Sequence, residues 1–82
     1  MENDRIRVLR GKYGPHEKSE MHAHPALIAV MLTDGRIGMT YPDGRTEEIV
    51  AKAGDVLNMP ATVHLPENLT DEVFEVVLIE LK

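Results

Sequence analysis

The stretch His22-Ala23-His24-Pro25-Ala26-Leu27-Ile28-Ala29-Val30-Met31-Leu32-Thr33-Asp34-Gly35 decides how this chain is read. Asp34-Gly35 is a turn signal, and Pro25 disfavours helix at the residue before it. The apolar run Leu27 to Leu32 between them is too short for a stable helix, so it reads as a strand. It has no polar position, and a strand with one wet face would alternate, so both of its faces are covered. One face looks into a core and the other needs a partner subunit. Upstream, His22 and His24 stand two apart, so on a strand both imidazoles point to the same side.

Outward from this stretch the punctuation is regular. Gly14-Pro15, Pro42-Asp43-Gly44 and Gly54-Asp55 are further turn signals. They recur about every ten residues, the spacing of an all-β sandwich or barrel. Strands are expected over 5–13, 19–24, 27–32, 36–41, 46–51, 56–59, 63–69 (broken by Pro66) and 73–81. Val76 to Ile79 is a second wholly apolar run. A homodimer is expected from these two runs.

The 82 residues make one domain, 1–82, near the lower size limit for a free-standing core. There is no cysteine, so no disulfide staples the fold and no thiolate binds metal or attacks substrate. The net charge of −5 argues against nucleic acid, which calls for a basic face. The apolar runs fall far short of the ~20 residues that span a bilayer, and the N-terminal residues lack a signal-peptide pattern. A soluble cytoplasmic protein is expected.

The chain has four histidines, His16, His22, His24 and His64. His64 follows a Pro60-Ala61-Thr62-Val63 turn that brings it across to the His22–His24 pair. Three neutral imidazoles suit a divalent transition metal (Fe, Zn, Mn, Ni or Cu) with an open position for water or substrate. His16, in the Gly14-Pro15 turn, reads as a solvated loop residue. Glu20 shares strand parity with His22 and His24, which makes it a candidate acceptor for a ligand imidazole and, more simply, a surface carboxylate. Asn68 reads as a turn cap, Asp34 and Asp43 as turn formers.

His22-Ala23-His24, followed by an apolar strand and Gly35, resembles the first motif of the cupin superfamily, G-x5-H-x-H-x3–4-E-x6-G. Gly54, Pro60, Thr62, His64 and Asn68 resemble the second, G-x5-P-x-G-x2-H-x3-N. The resemblance runs over about residues 5–81 and implies a double-stranded β-helix (jelly-roll) barrel, typically dimeric. It implies metal on His22, His24 and His64. Departures are visible: the motif's glutamate position falls on Ile28, its opening glycine on His16, and its second-motif glycine on Thr62. Ile28 is expected as an apolar wall of the site. With three neutral ligands an ion keeps its full charge and attracts an anionic donor. Two functions follow: dioxygenase-like chemistry on a small anionic or enolisable substrate, or a non-enzymatic small-molecule-binding or sensor barrel with a degenerate or empty metal site.

Overall fold

Eight strands and no helix emerge from this pattern: β1 (Ile6–Tyr13), β2 (His22–His24), β3 (Leu27–Met31), β4 (Gly35–Thr40), β5 (Thr46–Ala51), β6 (Val56–Met59), β7 (Thr62–Asn68) and β8 (Phe74–Leu81). The structure is a computed structural model and describes every residue from Met1 to Lys82. The strands form two four-stranded sheets, ordered β1-β8-β3-β6 and β2-β7-β4-β5, with every pairing antiparallel. This is the expected all-β jelly roll. No helix is long and apolar enough to cross a membrane.

The core follows the two-residue side-chain period. Leu27, Ala29 and Met31 of β3 are buried against Phe74 and Val76 of β8 and against Ile37 and Met39 of β4. Tyr13 closes one end of this core, its ring edge-on to Phe74 at 4.8 Å. The turns act as read: Asp43 accepts a bond from Arg45 N (3.0 Å), and Asp34 accepts one from Ala53 N (2.9 Å), tying two turns together. Gly44 and Gly54 have φ of 87° and 89°, a backbone region that side chains disfavour.

Three expectations are adjusted. β2 is shorter than 19–24, because residues 17–19 approach β7 through isolated contacts: a bridge from Lys18 to Glu67 and a bond from Ser19 N to Pro66 O (3.0 Å). Pro66 does not break β7. Its carbonyl accepts from Ser19, so its nitrogen faces the same flank, where residues 17–19 meet β7 through isolated contacts and the one bond a proline cannot donate is absent. Ile28 is not a wall of the site. The alternation that buries Leu27 and Ala29 turns Ile28 and Val30 to the outer face of the sheet, beside Ile79 and Val77 of β8. Counting along a motif located the residue; strand parity set its direction.

Candidate functional site

β2 lies at the edge of its sheet and pairs with β7 so that His22 stands directly opposite His64 and His24 opposite Thr62. A directly opposed pair and its two-residue diagonal share one face of a sheet, which gathers the three imidazoles. Ring centroids are 4.5 Å apart for His24 and His64, 5.1 Å for His22 and His64, and 6.5 Å for His22 and His24. His24 and His64 are buried, and His22 is exposed at the mouth. All three line a cavity of about 240 Å3 inside the barrel. Its wall is otherwise almost wholly apolar, apart from Glu80 and Tyr13.

The hydrogen bonds determine which nitrogens are free. His24 Nδ1 lies 2.6 Å from the Pro25 carbonyl, and His22 Nδ1 lies 2.9 Å from the Glu20 carbonyl. A carbonyl only accepts, so both Nδ1 atoms carry the hydrogen and both Nε2 atoms present lone pairs. His24 Nε2 is buried with no partner, and so is His64 Nδ1. Burial, reinforced by His24 and then His22, lowers the His64 pKa from 6.5 to about 4, so that its ring is neutral near pH 7.

The buried, unpartnered Nε2 of His24 and Nδ1 of His64 fit a divalent metal in donor chemistry. With bonds of about 2.1 Å, two rings on one ion at right-angled to tetrahedral geometry have centroids roughly 4.5–5.3 Å apart. The two separations to His64 meet that range and the His22–His24 separation exceeds it by about 1 Å. As the side chains stand, no three His, Asp or Glu residues enclose a point that would hold an ion. Closing the set requires a shift of the exposed His22 ring.

The remaining candidates lie elsewhere. His16 sits in the left-handed region (φ 58°), exposed, with Nε2 2.5 Å from Asp71 Oδ1, and takes no part in the cavity. Glu20 orients His22 through its main-chain carbonyl rather than its carboxylate. Asn68 is fully buried and bonds main-chain groups around it, from extended strand rather than from a left-handed turn. Glu80, on the cavity wall, was not expected from the sequence. The signal was there: 74, 76, 78 and 80 share one face of β8, and only the last is polar.

A family model described as a cupin domain matches residues 9–80. No curated protein matches the chain. Among solved structures, a cupin domain from Bordetella pertussis Tohama I is similar with a TM-score of 0.91 and 26% identity, over 100% of this chain and 86% of that one. A double-stranded beta-helix domain protein from Klebsiella pneumoniae matches with a TM-score of 0.77 and 23% identity, over 99% and 70% of the two chains. The polyketide cyclase RemF from Streptomyces resistomycificus matches with a TM-score of 0.69 and 22% identity, over 96% and 56%. With the family model covering nearly its whole length and the two-sheet barrel shared with these structures, the chain belongs to the cupin domain family.

Proposed function

We propose that His22, His24 and His64 hold one divalent transition metal at the mouth of the barrel, and that the cavity behind them receives a small anionic or enolisable molecule for dioxygenase-like chemistry. The observation that carries this reading is the lone pair of His24 Nε2, buried, unpartnered and aimed by the Nδ1 bond to Pro25. A buried polar atom without a partner costs stability, and a ligand atom removes that cost.

When bound, the metal supplies a Lewis-acid centre with open positions for an anionic donor. The chain's own residues do the rest. The Pro25 and Glu20 carbonyls hold His24 and His22 in the tautomer that leaves Nε2 free. The depressed proton affinity of His64 keeps it a donor near neutral pH. Leu27, Ala29 and Met59 exclude water and lower the local dielectric, which strengthens every charge interaction inside. The likeness to a polyketide cyclase is one of fold alone, and one fold carries many functions.

A homodimer belongs to the same proposal. Val8, Ile28, Val30, Val77 and Ile79 form a contiguous apolar patch across β1, β8 and β3 on the outer face. A second copy of this surface is its simplest self-complementary cover.

The test is elemental analysis of untagged protein beside His22→Ala and His64→Ala. About one metal per chain in the parent, lost in both variants, is the expected result. An apo parent, even after reconstitution with Fe, Zn, Mn, Ni or Cu, would leave the barrel as a small-molecule-binding module.

A further inference from the structure

Glu80 is the single carboxylate on the cavity wall. It pairs in register with Leu27 of β3 on one side and Arg7 of β1 on the other. Leu27 follows His24 by three residues, and Phe74, which also lines the cavity, lies six residues back along β8. The Glu80 side chain is only 14% exposed, yet its carboxylate makes no hydrogen bond, and its one ionic contact is to Arg7 Nη1 at 3.7 Å. Arg7 is itself half exposed (51%), so that contact is long, single and wetted. The apolar wall beside it offers no donor, so most of its accepting capacity goes unused within the chain. Such an arrangement is expected where a ligand provides the missing donors.

We propose that Glu80 is a specificity residue that recognises a cationic or hydrogen-donating group, best an ammonium, on a small ligand with an apolar body. An ionised carboxylate only accepts, so its complement must donate. The apolar surroundings raise the worth of a charged donor over a neutral one. The cavity is below the usual range for drug-sized ligands, which restricts the body to about the size of one aromatic ring. On a molecule that carries both, the anionic or enolisable group faces the histidines and the donor group faces Glu80; the role of Glu80 goes beyond the proposed metal centre and holds without it.

The test uses three probes of one shape: benzylamine, benzyl alcohol and toluene, titrated by NMR into the full chain in the presence of a chelator. Benzylammonium is expected to bind the parent about ten-fold more tightly than toluene, with benzyl alcohol between. Glu80→Gln brings the three to within about two-fold and leaves toluene affinity nearly unchanged. Arg7→Gln removes the competing cation and tightens ammonium binding. Were the pair merely structural, both variants would weaken every probe alike. Absence of an ammonium preference in the parent, its persistence in Glu80→Gln, or failure of all three probes to bind would overturn the proposal. Because the chelator removes metal throughout, none of these outcomes bears on the three-histidine centre.

Discussion

His64 is where a single side chain senses its whole surroundings. Burial and the neighbouring His24 and His22 rings push its pKa down to about 4. In the unfolded chain the ring takes up a proton near pH 6.5; in the folded chain it resists until about pH 4. The unfolded state therefore binds more protons between these values. Stability is complete above about pH 6.5 and falls as the pH drops toward 4. For the metal-free protein we expect a loss on the order of 2–3 kcal/mol across that window. Urea unfolding in chelator at pH 7.5 and 4.5 measures it, and His64→Leu should flatten the dependence. An equally steep loss in that variant would assign the acid sensitivity to other groups. Glu75 and Asp43 are held below their ordinary values by Arg10 and Arg45 respectively. That three histidines converge was legible from their spacing and motif context. Their tautomers were not, because the acceptors are main-chain carbonyls whose directions exist only in the folded chain.

At the scale of elements, strand parity explains most of what was and was not readable. The turn residues marked seven of the eight strands to within about two residues. The second was shortened because its first half is held by isolated contacts rather than by a ladder. Pro66 looked like a break and is not one, since its nitrogen faces the flank held only by isolated contacts and the strand keeps its pairing with β4 on the other. Asn68 joins three elements. Its Nδ2 donates to the carbonyls of Tyr13 (3.2 Å), Gly14 (3.0 Å) and Glu72 (2.7 Å), and its Oδ1 accepts from the amide and the hydroxyl of Thr70, each at 2.9 Å. It thereby fastens the end of β1 to the β7–β8 turn. Asn68→Ala leaves buried main-chain groups unpaired and is expected to cost about 2–4 kcal/mol by urea denaturation. A cost below about 1 kcal/mol would mean that water replaces the amide fully. Its bonds reach residues more than fifty positions away, so the spacing to His64 that drew attention to it said nothing of this role.

For the whole molecule, the question is what covers the outer face of β1, β8 and β3. A barrel of this size has one interior, so the second face of a wholly apolar strand must look outward. Val56, opposite Val30, is 64% exposed on that side. In sedimentation at micromolar concentration the parent is expected to run at twice the 9.2 kDa chain mass, and Val77→Lys as a monomer that keeps its fold by circular dichroism. A monomeric parent would remove the dimer. By itself the sequence determined the all-β class, the turn positions, the two-faced strands and the three histidines. Each of these rests on local periodicity or on the backbone preferences of Gly, Pro, Asn and Asp, which act within a few residues. Only the tertiary structure decided which face of β3 and β8 looks inward, and so that Ile28 turns out and Glu80 in, and that His64 stands opposite His22. Those facts depend on register between strands distant in sequence, and a shift of one residue would reverse each of them.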